Sequence, residues 1–127
     1  LHPAYGADQT MIAVIFEVLP HPQHRNEYFS IAKDLRPVLE TIDGFISIER
    51  FESLNEPGKV LSLSFWRDEK AVMAWRNVGE HRIAQNKGRN RIFDDYRLRV
   101  AHVMRDYGMH ERAETPDDSR KQHDDSS

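Results

Sequence analysis

The alternation of apolar and polar positions divides the chain into six segments separated by turn residues. "MIAVIFEVLP" (11–20) is rich in β-branched residues and stops at Pro20, which predicts a strand. "HPQHRNEYFSIAKDLRPVLETI" then places Tyr28, Ile31, Leu35 and Leu39 at helical spacing, with Phe29, Ala32 and Val38 widening the stripe. Pro37 is expected to kink or tighten the last turn of this helix, and Asp43-Gly44 to end it.

Period two returns in "FISIERFES" (45–53), which puts Phe45, Ser47, Glu49 and Phe51 on one face and Ile46, Ile48 and Arg50 on the other. "VLSLSFW" (60–66) sets Leu61, Leu63 and Phe65 against Ser62, Ser64 and Trp66. Glu56-Pro57-Gly58 makes the tip of the hairpin between these strands. Asp68 is placed to cap a second helix over about 68–78; Gly79 is expected to interrupt it, with helix resuming from Glu80 to Phe93. "DYRLRVAHVMRDYG" (95–108) alternates again and predicts a fourth strand. The order β-α-β-β-α-β is that of the ferredoxin-like motif, an α+β protomer with an antiparallel four-stranded sheet.

Two helices cover one face of such a sheet, yet strand 1 is apolar in both phases: Ile12, Val14, Phe16 and Val18 in one, Met11, Ala13, Ile15 and Leu19 in the other. A sheet with one wet face alternates more cleanly than this. The surplus apolar face predicts a homodimer with sheets packed face to face.

Composition narrows the function. The 127 residues are 39% hydrophobic and 31% charged, the profile of one globular domain. The longest apolar run is strand-length and carries Glu17, so no membrane partner is expected. The formal charge of −3 resides in residues 111–127, and residues 1–110 hold fifteen charges of each sign, a poor basis for binding nucleic acid. With no cysteine there is no thiolate nucleophile or cysteine-based metal site. Residues 1–10 lack the features of a signal peptide and read as an N-terminal extension, and the protein is expected in the cytoplasm. The domain is expected to span 11–108, with 109–127 a polar, mobile tail.

The runs "DGFISIERFES", "EPGKVLSLSFWRDEKAVMAWRNVGEHRIAQNKGR" and "FDDYRLRVAHVMRDYG" resemble the antibiotic biosynthesis monooxygenase family over roughly Met11–Gly108. The resemblance implies a dimeric α+β barrel. It also implies one of two chemistries: cofactor-independent oxidation of aromatic compounds with O2, or haem binding and breakdown. The tryptophan shared by both branches is matched by Trp75. The asparagine and histidine of the haem-degrading branch correspond to Glu17 and Gln85, and glutamine does not ligate iron as imidazole does. His81, one helical turn before Gln85 and on the same face, is the nearest imidazole.

The expected enzyme is therefore a monooxygenase without a cofactor, acting on a small aromatic or quinonoid compound, with haem as the alternative cofactor. A non-catalytic dimeric small-molecule-binding or stress-response protein is the reading from another class. A cofactor-free oxygenase needs a base, an anion-stabilising group and a dry pocket. His81 suits the base because its ordinary pKa lies near neutrality. Glu17 is the other candidate base, or else a strand acid paired with an arginine of strand 4. Trp75 is either a core anchor or a wall that stacks on a flat substrate. Gln85, Arg97 and Arg99 complete the expected substrate-binding set, although arginines at period two are more often strand or interface ion pairs. His21 and His24 flank Pro22 without an acid at ligand spacing, so no metal site is expected.

Overall fold

The computed structural model of the chain describes residues 11–79 in full, the backbone of 80–85, and residues 92–116. Its elements run β1 (Ile12–Pro20), α1 (Arg25–Leu39), β2 (Phe45–Glu52), β3 (Val60–Trp66), α2 (Glu69–Gln85) and β4 (Phe93–His102), with a short 3-10 turn at Pro22–His24 before α1. The strands form one sheet in the order β2-β3-β1-β4, and every pairing is antiparallel. This is the βαββαβ arrangement that the alternation of periods two and 3.6 predicts.

Directly opposed residues share a face, so the registers assign both sides of the sheet. Toward the helices point Ile12, Val14, Phe16 and Val18 of β1, Val60, Ser62, Ser64 and Trp66 of β3, and Tyr96, Leu98 and Val100 of β4. The other side carries Ala13, Ile15, Glu17 and Leu19 with Leu61, Leu63, Phe65, Arg97 and Arg99. The serine-bearing phase of β3 is thus the inner one. Trp66 anchors it, fully buried, and its indole N–H donates to Ser64 Oγ at 2.9 Å, so the hydroxyl satisfies a buried donor.

Strict alternation fails in β2. Phe45 lies opposite Trp66, but Ser47 lies opposite Phe65, so Ile46 is an extra residue and a bulge. The bulge lets both Phe45 and Ile48 face the helices and leaves Ile46 51% exposed. Phe45 therefore does not share a face with Ser47, Glu49 and Phe51.

Helix α1 continues past Pro37 to Leu39, and its end is tied by Glu40 N–H donating to Arg36 O at 3.1 Å. Gly44 follows at φ +96°, where a Cβ would sit 2.8 Å from Ala71 Cβ; positive φ and a close helix approach both require glycine there. Asp68 caps α2 by accepting from Ala71 N–H at 3.0 Å, and this bond, ahead of the Arg67 ion pair, holds its carboxyl below the usual range. Gly79 does not break α2, which runs through it to Gln85. A glycine in right-handed backbone costs helix stability without ending the helix.

Strand β4 ends at His102 rather than continuing to 108, although Val103 N–H still donates to Met11 O at 3.0 Å. Beyond it the described part of the tail is fixed by polar contacts. Asp106 N–H donates to Glu114 Oε1 at 2.9 Å, Gly108 N–H donates to Glu111 O at 2.7 Å, and Thr115 is buried. Residues 109–116 are therefore not a free tail; 1–10 and 117–127 lie outside the described residues.

The core has two centres. One gathers Ile12, Val14, Leu39, Ile48, Ala71 and Val72 about Trp66, and the other joins Val18, Tyr28, Val60 and Ile92.

Candidate active-site cavity

Between these centres, under α1 and α2, lies a cavity of about 290 Å³ that draws its walls from both. The α1 stripe Tyr28, Ile31, Ala32, Leu35 and Leu39, about three turns of one face, forms one side. Phe16 and Ile48 come from the sheet, Trp75, Arg76 and Gly79 from α2, and Ile92, Phe93, Tyr96 and Leu98 from the last strand and its approach. One end is aromatic: Phe16 lies 5.9 Å from Phe93 and 5.7 Å from Tyr96, and Tyr28 lies 5.8 Å from Phe93, ring centre to ring centre. At the other, Trp75 leans on Trp66 at 5.8 Å with the ring planes 44° apart. Tyr96 and Leu98 line the cavity yet stay 45% and 41% exposed, so its mouth opens along β4.

Polar groups are few. Arg50 of β2 and Ser62 of β3 are opposed in register on the inner face, and both reach the cavity. Burial pushes the Tyr28 hydroxyl above the ordinary phenol value, and the charge and hydrogen bonding of the adjacent Arg50 partly offset this. Arg50 Nε is buried and has no hydrogen-bond partner. Arg76 is exposed, and no carboxylate is present among the described lining residues.

Of the residues singled out in the sequence, Trp75 is half-buried and is both core and cavity wall. Glu17, Arg97 and Arg99 are not brought to it. The strand register places all three on the opposite face of the sheet. There Glu17 is held between Lys59, at 2.8 Å, and Arg99. Hydrogen bonds from Lys59 first and Arg99 second depress its pKa, so Glu17 is a poor proton acceptor at neutral pH. The pairing with a strand-4 arginine expected from sequence is the one formed, and a cavity lined jointly by Trp75 and Glu17 is not. His81 and Gln85 belong to α2, two and six positions past Gly79, and their side chains lie outside the described residues. The His21 and His24 rings lie 5.3 Å apart with their planes tilted by 52°, and they face Asp94 and Glu27; no metal-binding group occurs among the described residues.

Sequence reasoning missed Arg50 and Ser62. The available signal was phase: Arg50 follows Ile48 by two, so a buried Ile48 carries Arg50 to the same inner face.

The geometry is matched by kinship. Residues 11–87 fit the family model described as antibiotic biosynthesis monooxygenase. A protein of the fungus Pyricularia oryzae named "Jasmonate monooxygenase ABM" is 50% identical over 116 residues, covering 90% of this chain and 54% of that protein. The Bacillus subtilis protein YqjZ, uncharacterised, is 34% identical over 62 residues, or 49% of this chain and 53% of its own. The chain thus spans about half the length of the curated relatives it matches. Solved structures share the fold at low identity. A conserved protein from Methanosarcina mazei superposes with a TM-score of 0.65 at 18% identity, covering 77% of this chain and 97% of that one. The Mycobacterium tuberculosis protein Rv0793 gives 0.66 at 17%, covering 78% and 100%. By its family model, its fold and its place among these relatives, the chain belongs to the antibiotic biosynthesis monooxygenase family.

Proposed function

We propose that this chain is a monooxygenase that binds a small, largely apolar cyclic compound in the helix–sheet cavity and oxidises it with O2 without a cofactor. The supporting observation is the cavity itself, with an aromatic end, Trp75 as a wall and a single polar edge in an otherwise apolar lining. The name of the Pyricularia oryzae relative adds a substrate type, a cyclopentanone acid, to the aromatic and quinonoid compounds expected from the sequence.

An activated CH2 beside a carbonyl or phenol loses a proton, and the carbanion reduces O2. One oxygen atom stays on carbon as a carbonyl; the other leaves as water with the two substrate hydrogens. Electrons balance without an external reductant. His81 is the proton acceptor in this scheme, and the apolar lining excludes water from the carbanion. The haem alternative would draw on residues 81 and 85 of α2. The side chains of both lie outside the described residues, and no step is routed through haem.

The partner we propose is a second copy docked on the outer sheet face. Ile15, Leu19, Leu61, Leu63 and Phe65 are only half-buried there, and Phe51 is 42% exposed. We propose the cytoplasm as the location of this chain. No described helix is long and apolar enough to cross a membrane.

The test supplies purified protein with jasmonate, or with a quinol, under 18O2. Uptake of O2 with one labelled atom in the product is expected, together with at least a hundred-fold loss of rate in a folded His81→Ala variant. Absence of uptake with either class would retire the oxygenase reading; full turnover by the variant would remove His81 from the reaction.

A further inference from the structure

The polar edge of the cavity is unbalanced. Arg50 brings a guanidinium into an apolar lining with no acid among the described residues, and its Nε donor is buried without a partner. Natural proteins rarely leave a buried charged donor unsatisfied, because the missing bond costs more than a neutral one would. Its neighbours do not supply the missing acceptor. Tyr28 is a neutral hydroxyl, Ser62 is small, Glu49 faces the other side of the sheet, and Glu52, two residues on along the inner face, is paired with Arg25 at 3.3 Å. Arg76, the other cation of the lining, is exposed and keeps its charge in water.

We infer that Arg50, with the Tyr28 hydroxyl beside it, is the binding site for the carboxylate of an amphipathic acid whose apolar body fills the cavity toward Phe16, Phe93 and Trp75. A guanidinium offers paired N–H donors that match the two oxygens of a carboxylate, and the low-dielectric wall strengthens that bond. A phenol oxygen would meet one donor of the guanidinium; a carboxylate meets two of its terminal N–H groups together. The site deepens the oxygenase reading by naming a chemical class of ligand, but it is a statement about binding and is tested as one.

The experiment measures binding of jasmonate and of its methyl ester, which share one body and differ in charge, by calorimetric titration. Native protein is expected to prefer the acid by roughly ten- to a hundred-fold, the range of a charge-assisted bond. The preference should shrink as pH falls through the ligand's own carboxyl pKa, a change that a structural role for Arg50 would not produce. In Arg50→Gln the acid-to-ester ratio should collapse toward one, and Arg50→Lys should recover part of it. Equal affinity for acid and ester in the native protein, which needs no variant to fold, would overturn the assignment. So would binding of neither probe at millimolar concentration, or an acid preference that survives in folded Arg50→Gln. Acid-selective binding without oxygen uptake would instead uphold the site and count against the oxygenase reading.

Discussion

The two faces of this sheet are built from the same strands and do opposite things. On the inner face an excess of large side chains is arranged around a space that they do not fill. Trp66, Leu39 and Val14 are sealed, while Trp75, Phe16 and Phe93 are only partly covered because they border the cavity. On the outer face a carboxylate is shared by two cations amid aliphatic side chains. The lesson is about charge. Arg50 on the inner face has a buried donor without an acceptor, whereas Glu17 on the outer face is fully engaged. An unmatched group facing a cavity points to a ligand, and a matched group on a flat surface points to architecture.

Breaking the inner face should have the largest effect. Trp66→Ala removes a completely buried indole that touches both Phe45 and Trp75, and a loss of about 3–5 kcal/mol in denaturant unfolding is expected. A loss below about 1 kcal/mol would mean that the Trp66 cluster is not the anchor of the fold.

A smaller effect on the protomer, but a decisive one on assembly, is expected from Leu63→Asp at the middle of the outer face. Light scattering should give the mass of a dimer for the native chain and of a monomer for the variant, with the helical circular dichroism retained. A native chain that is already monomeric at micromolar concentration would show that the outer face is not a dimer interface.

The subtlest effect concerns Glu17. Its folded pKa lies below the ordinary value of 4.5, so the unfolded chain binds more protons in that window. The stability it contributes is present above about pH 4.5 and lost as pH falls through the folded pKa. Glu17→Gln should therefore flatten part of the acid limb of a stability-versus-pH curve and change little else. Asp43 and Asp68, depressed in the same direction by their bonds to Arg67 and Ala71, keep the remainder. An unchanged acid limb would show that Glu17 is not held as described.

Much of this architecture was legible in the sequence because it depends on periodicity. The β1 run, the α1 stripe and the turn at Glu56-Pro57-Gly58 each carry a local signal, and these three formed close to their expected places. Failures arose where tertiary packing overrode a local cue. Gly79 reads as a break, but a helix pressed against a sheet tolerates one glycine. For β3 the two phases left the inner face open, and Trp66 and Val60 carry the inner phase despite two serines. For the cavity, Trp75 was visible as a large aromatic in the second helix that matches the tryptophan shared across the family it resembles. Arg50 was not, because a charged residue in an alternating strand reads as solvent-facing until the neighbouring face is known to be covered. Glu17 was read either as a base or as a strand acid paired with an arginine; the pair is formed, and only the register shows on which side of the sheet the two meet.

The bulge at Ile46 acts as a phase shifter. With period two, the strand is read like a two-symbol frame: from Ile48 onward the even-numbered residues face the helices, while Phe45 does so as an odd one. The single extra residue is what allows both statements to be true. Deleting one residue between Phe45 and Ile48 would force a choice: either Phe45 keeps its place against Trp66 and Arg50 turns outward, or Arg50 stays inward and Phe45 is expelled. The fold's anchor and the cavity's polar group are thus set in different reading frames of one strand, and the chain can hold both only while that extra residue separates them.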